Sequence, residues 1–190
     1  MFGLRIYRKK DIDLYKEQSE IDDVIIRQLQ QEVLHLKENQ KLIDYIQEIK
    51  KFKDESIIDV GNNKGDSYVL TKRVTRTGLN IIMKDPYTRT FPEVYATLEK
   101  EYSCNKSGGI CSPNKVVFIR DIHAVNKRRG NGKILIDAVI SYAKEHQYEK
   151  IKGELTDRDK KDTPGLPIFY EKMGFTLNKD NTGFEMKLYY

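Results

Sequence analysis

From Leu4 to Val60 the chain runs for 57 residues without a glycine or a proline, and this run limits the architecture more than any other feature. It lacks the two residues that most readily turn or break a chain and is rich in Glu, Lys, Gln, Leu and Ile, so it favours a long helix. Ile25, Leu29, Val33 and Leu36 fall three or four apart; Leu29, Leu36 and Ile43 fall seven apart, with Ile46 and Ile49 continuing the stripe. The spacing predicts one apolar face along a helix from about Asp11 to Lys53. Asp11 suits the N-cap, where a carboxylate accepts from unpaired backbone N–H groups. Glu32 and Asn39 interrupt the heptad at positions where a coiled coil wants apolar residues. So long a helix needs a partner surface, either its own domain or a second copy. Residues 1–55 are therefore read as a strand and long helix, expected to act as a homodimerisation arm, ahead of a domain at 56–190.

Composition narrows the class. Apolar residues make up 38% of the 190 and charged residues 33%, which still allows one real core. No apolar run approaches the length needed to cross a bilayer, and the first residues show no secretory signal, so a cytoplasmic protein without membrane contact is expected. Two cysteines exclude a disulfide framework. Up to Glu55 there are 11 Lys+Arg against 12 Asp+Glu, and beyond it 23 against 17. A mild cationic excess of this kind suits an anionic ligand. Nucleic-acid binding is not expected, because no aromatic residues interleave with the cations.

Beyond Gly61 the pattern changes to period two. Tyr68 to Arg73 and Leu79 to Met83 alternate around the turn signal Thr75-Arg76-Thr77-Gly78, and Leu4 to Arg8 alternates before the long helix. Glu93 to Tyr102 reads as a strand or a short helix, and Val116 to Ile122 as a strand after a Gly/Ser/Asn-rich loop from Cys104 to Asn114. Helical spacing then runs from Ile134 to about His146. A strand at Lys150–Leu155, a loop through Asp162, a short helix at Gly165–Met173 and strands near Phe175–Asn178 and Phe184–Tyr189 complete the chain. This order implies a mixed α/β (α+β) fold with one mostly antiparallel sheet and flanking helices.

Chemistry concentrates in Asp121-Ile-His-Ala-Val-Asn-Lys-Arg-Arg-Gly-Asn-Gly-Lys133. A strand ends at Ile122, Lys127, Arg128, Arg129 and Lys133 cluster, and Gly130 and Gly132 stand at the mouth of a helix. Glycines let backbone approach a ligand, and the first turn of a helix presents unpaired N–H groups at the positive end of its dipole. That combination favours a phosphate or diphosphate. It is neither a dinucleotide fingerprint, for want of a third glycine, nor a Walker loop, for want of Gly-Lys-Ser/Thr.

From Gly130 the chain reads GNGKILIDAVISYAKEHQYEKI, followed at a suitable distance by LPIFYEKMGF. These two motifs, in order and with a strand between them, resemble the GNAT superfamily of acyl-CoA-dependent N-acetyltransferases over about Lys115 to Tyr190. In that family the loop reads Arg/Gln-x-x-Gly-x-Gly/Ala and a later helix carries Leu/Phe-Tyr-Glu-Lys-x-Gly-Phe. Leu4 to Tyr15 is similar to the family's first strand and helix start, more weakly. The resemblance implies a GNAT-like fold and acetyl-CoA as cosubstrate. Lys127, Arg128, Arg129, Gly130, Asn131, Gly132 and Lys133 would form the diphosphate loop, with Lys127 where the family prefers Arg or Gln. Ile122 would end the splayed strand that orients the pantetheine arm. Thr163 stands where relatives often carry an asparagine that touches the cofactor.

Tyr170 matches the tyrosine that donates a proton to the departing CoA thiolate, a role its phenol suits because a hydroxyl within hydrogen-bond reach can protonate that sulfur. Many relatives use a glutamate as general base where Val116 stands here. Asp121, His123, Glu154 and Asp157 are the remaining candidates for that base, and a water-mediated route needs none of them. Cys104 and Cys111 with the three histidines show no metal-ligand spacing, so no metal is expected. The implied activity is transfer of an acetyl group from acetyl-CoA to the primary amine of an unidentified acceptor by direct attack in a ternary complex. The alternative is a non-catalytic acyl-CoA-binding or protein-interaction module that uses the long helix.

Overall fold

The computed structural model of the chain describes residues 9–103, 112–125 and 128–189. Leu4–Arg8, Cys104, Cys111 and Lys127, all singled out from the sequence, lie outside those residues. The chain divides between Tyr45 and Ile46 into two compact units.

The first unit is helical. It belongs to α1, Lys9–Ile49, which starts two residues before the expected Asp11 and stops four short of Lys53. Ile21, Ile26, Leu29, Val33, Leu36 and Ile43 are all exposed along it. Ile26, Leu29, Gln30, Val33, Leu34 and Lys37 line a shallow groove on its surface.

In the second unit the last turn of α1 buries Ile49, and among the described residues eight strands follow in one sheet. They are β1 (Ser56–Asn63), β2 (Asp66–Val74), β3 (Gly78–Lys84), β4 (Glu93–Ser103), β5 (Ser112–His123), β6 (Lys150–Glu154), β7 (Thr176–Leu177) and β8 (Gly183–Lys187), with α2 (Asn131–Glu145), α3 (Asp157–Asp162) and α4 (Leu166–Lys172) between the later ones. The spatial order is β1-β2-β3-β4-β5-β6-β8-β7, and every pair is antiparallel except β5 with β6. The parallel pair is reached through α2, as a crossover requires. This is the mixed, mostly antiparallel α+β sheet with flanking helices and a long N-terminal helix that the sequence implies. Glu93–Ser103 resolves as a strand, the first of its two readings.

Two elements depart from expectation. β1 starts within the glycine-free run and ends beyond it, and it is not anticipated, because its residues show no hydrophobic alternation; it is an edge strand, mostly exposed, with a bulge between Ile57 and Asp59. It turns into β2 through Lys64 and Gly65, both at positive φ, the backbone that a two-residue hairpin loop demands. α3 replaces the expected loop. Thr156 accepts from the Asp159 N–H while the Asp159 carboxylate accepts from the Thr156 N–H, a reciprocal cap that starts a helix in a segment without hydrophobic periodicity.

One sheet face builds the core. Leu79, Ile81, Val94, Ala96, Val117, Ile119, Ile151 and Phe184 meet α2 through Leu135, Ile136, Val139 and Tyr142, and meet α4 through Tyr170. Burying each large aliphatic there is worth roughly 1.5–3 kcal/mol. The opposite face is polar over β4–β6, where Glu99 pairs with Arg120 at 2.6 Å and Glu101 binds both Lys150 and Lys152. Nearer β1, Glu55 accepts from Thr71 at 2.5 Å and pairs with Lys84 at 2.6 Å, both carboxylate and ammonium largely shielded from water.

Candidate active site

The site grows from the way β5 ends. Its parallel ladder to β6 runs from Val116↔Lys150 to Ile119↔Gly153 and stops, while β5 continues to His123. Over that last stretch β5 is held from the β4 side alone, with a register shift between Tyr95 and Ala96 before Asp121↔Tyr95, Ile122↔Val94 and His123↔Glu93. The shift brings Asp121 and His123 to the polar face and turns Ile122 onto the core. Val116 is fully buried in the sheet.

Asp121, His123 and Glu93 line one cleft of about 510 Å³ with Ile82, Arg89, Thr90 and Phe91. Ile82, Glu93 and His123 form a row across three neighbouring strands. Asn80 donates to the Glu93 carboxylate at 3.4 Å, and its own Oδ1 is buried without a hydrogen-bond partner among the described residues. Glu93 and Arg89 are not anticipated from the sequence. Their place depends on strand pairing, which no local pattern around residues 89–93 encodes.

The glycine loop stands at the head of α2. Gly130 is its N-cap at φ 95° and ψ −3°, a left-handed conformation that a side chain would strain, and its carbonyl accepts from the Lys133 and Ile134 N–H groups. Among the described residues nothing accepts from the N–H groups of Gly130, Asn131 and Gly132. A Cβ on Gly132 would lie 3.4 Å from the Phe169 ring and 3.8 Å from Ala124, in ordinary contact, so the start of α2 lies beside α4. The two sequence motifs therefore meet in space. Arg129 pairs with Asp66 at 2.5 Å and Lys133 with Asp137 at 2.6 Å, while Arg128 is exposed.

Tyr170 follows Phe169 on α4. It is 2% exposed, stacked on Phe184 with ring centroids 3.7 Å apart and edge-on to Phe169 and Phe175. Its hydroxyl has no hydrogen-bond partner among the described residues. Burial, and then the carboxylates of Asp159 and Asp121, hold its pKa well above that of a free phenol. Asp121 thus lines the cleft and also makes its charge felt at this hydroxyl.

Glu154 and Thr163 do not join this group. Glu154 is exposed at the end of β6 opposite Gly183, and Thr163 closes α3 with its N–H on the Asp159 carbonyl at 2.8 Å. Asp157 pairs with Lys160 at 3.0 Å. Among the described residues no three His, Cys, Asp or Glu side chains gather as a metal site, and no helix is long and apolar enough to cross a membrane.

No family model matches the chain, and no curated protein does. Solved structures show weak likenesses. A tetramutant of the BH1408 protein from Bacillus halodurans is 21% identical, over 60% of this chain and 67% of its own, with a TM-score of 0.42. A single-residue mutant of the same protein gives 0.41 at the same identity and coverage. A tyrosine-to-phenylalanine mutant of the AtaT toxin, solved with the C-terminus of the antitoxin AtaR and acetyl-CoA, is 14% identical over 58% of this chain and 67% of its own, with a TM-score of 0.36.

Proposed function

We propose that the chain is an acetyl-CoA-dependent N-acetyltransferase that acts on a primary amine through a ternary complex, in the cytoplasm. The observation that carries this reading is the meeting of its two motifs: the N–H groups of Gly130, Asn131 and Gly132, unpaired among the described residues, belong to the end of α2 that lies beside Phe169, and Tyr170 is the next residue of α4. Unpaired amides at a helix N-terminus, glycines that leave room for backbone approach, and Arg128 at the entrance fit a diphosphate. Acetyl-CoA supplies an activated thioester. The edge of β5 beyond Ile119, free of β6, offers backbone groups to hold an extended arm.

The remaining work falls to side chains. A primary amine with a pKa near 10 must shed a proton before attack, at a cost of roughly 4 kcal/mol at neutral pH. Asp121 and Glu93 give the cleft two carboxylates, which favour a cationic acceptor, and His123 beside them is the group that can accept its proton. Tyr170, its pKa raised, is protonated and so has a proton to give to a leaving thiolate, although burial makes it a weaker acid than a free phenol. Titration calorimetry with acetyl-CoA, followed by free-thiol release with a panel of diamines, amino acids and peptides, tests the reading. Saturable binding and amine-dependent thiol release are expected. Binding with no release for any amine would favour the non-catalytic acyl-CoA-binding module, and no binding at all would end the transferase reading and leave only the protein-interaction module.

We further propose that the enzyme is a dimer built on α1. Taking Leu29, Leu36 and Ile43 as the second seam position, Ile26 and Val33 fill the first, with Gln40 at its third place. Glu32 and Asn39 fall beside the seam, and the five apolar residues are all exposed. β-Branched residues at the first position with leucine at the second favour two parallel strands. In that register Glu32 of one copy faces Lys37 of the other, in both directions. Sedimentation at micromolar concentration is expected to give a dimer, and Leu29→Asp with Leu36→Asp a monomer; a monomeric parent would refute the arm.

A further inference from the structure

We infer that Asn63, at the tip of the β1–β2 hairpin, is a positioning residue for the diphosphate loop, and that the hairpin is a working part of the coenzyme site. This rests on the transferase reading and extends it to a region that the motif resemblance does not reach.

A loop can offer amides to an anion only if its carbonyls are turned elsewhere, because a carbonyl oxygen facing a phosphate repels it. Here three carbonyls of the loop have side-chain donors. Asn63 Nδ2 donates to the Arg129 carbonyl at 3.0 Å and to Asn131 Oδ1 at 2.7 Å. The bond to Asn131 Oδ1 fixes that amide so that its own Nδ2 reaches the Val125 carbonyl at 2.9 Å. Lys64 Nζ donates to the Arg128 carbonyl at 3.2 Å. Asp66, on the other side of the turn, holds the Arg129 guanidinium. One hairpin tip thus pins the carbonyls of Arg128 and Arg129 and, through Asn131, that of Val125. Among the described residues of the loop, the amides of Gly130, Asn131 and Gly132 have no acceptor, and neither do those of Arg128 and Arg129.

The hairpin reaches this place by its own chemistry. Lys64 and Gly65 take positive φ, and Asn62 Oδ1 accepts from the Gly65 N–H at 2.9 Å, so the turn is braced before it meets the loop. A Cβ on Gly130 would sit 3.7 Å from Asn63 Oδ1, in ordinary contact, so it is the left-handed backbone rather than crowding that calls for glycine there. Holding a site in its bound shape lowers the ordering cost of binding.

Asn63→Asp keeps the size of the side chain but puts acceptors against the Arg129 carbonyl and Asn131 Oδ1. Calorimetry is expected to show the Kd for acetyl-CoA raised about 10-fold, with KM for acetyl-CoA raised in parallel and kcat at saturation within about twofold. Lys64→Met, at an exposed position where folding is not at stake, is expected to weaken binding in the same direction by about 3-fold. Hydrogen exchange at residues 62–66 is expected to slow when acetyl-CoA binds the parent protein. Acetyl-CoA affinities within about twofold of the parent for both variants would overturn the proposal, as would kcat and melting temperature falling together with affinity, the mark of a purely structural role. A parent protein that binds no acetyl-CoA would instead sink the transferase reading, and this proposal with it.

Discussion

Tyr170→Phe is expected to cut kcat about 10²-fold while leaving acetyl-CoA affinity and melting temperature close to those of the parent. The substitution removes one oxygen from a side chain whose ring is fixed by Phe169, Phe175 and Phe184. Phenylalanine fills the same space, and since the hydroxyl has no partner among the described residues, no hydrogen bond to them is broken. What is lost is the proton that the leaving sulfur needs. The sign of the pKa shift adds a second readout. With its pKa raised by burial and by nearby carboxylates, the phenol stays protonated across the usual working range, so the alkaline limb of the parent's pH profile should not come from Tyr170. Turnover unchanged in the phenylalanine variant would strip Tyr170 of its role.

Gly153→Ala is expected to be among the most damaging single-methyl additions in the sheet. Its Cβ would fall 2.3 Å from Cζ and 2.9 Å from Cε1 and Cε2 of Phe184, far inside van der Waals contact. Phe184 has little freedom to retreat, since its ring is stacked on Tyr170 and meets Phe175 edge-on. Overpacking of this kind costs about 1–3 kcal/mol, and a loss in that range should appear in thermal or denaturant unfolding. A ring that does shift takes Tyr170 with it. The folded variant should therefore also lose turnover, and one with parental stability would show that the strand yields where the rings do not.

The parts of this fold that are legible in the sequence are those whose residues carry a period. Ile134, Leu135, Ala138, Val139 and Tyr142 announce α2, and alternation announces β2 and β3. β1 is hidden because an exposed edge strand needs no alternation, though Asn62-Asn63-Lys64-Gly65-Asp66 is a turn signal that places its end. α3 is hidden because its six residues are all polar and its start depends on the pairing of Thr156 with Asp159. The site divides in the same way. The glycine loop and Tyr170 lie in contiguous motifs, and the structure brings them together through Gly132 and Phe169. Glu93 joins Asp121 and His123 only through the β4–β5 register, and Asn63 reaches Arg129 across 66 residues of chain. Neither partnership leaves a mark in local spacing.

The sheet ends in two unlike margins, and their shapes bear on how the molecule avoids sticking to itself. β7 has only two residues, too short a row of open amides to template another chain. β1 is longer and exposes Ile58 and Val60, which would invite a stranger's strand to zip alongside. The bulge between Ile57 and Asp59 breaks that row, and the Asp59 carboxylate engages the neighbouring Val60 amide at 2.9 Å. Kinked, charged borders of this kind discourage fibre-like stacking. Copies of the protein are thereby denied the promiscuous sideways route to assembly.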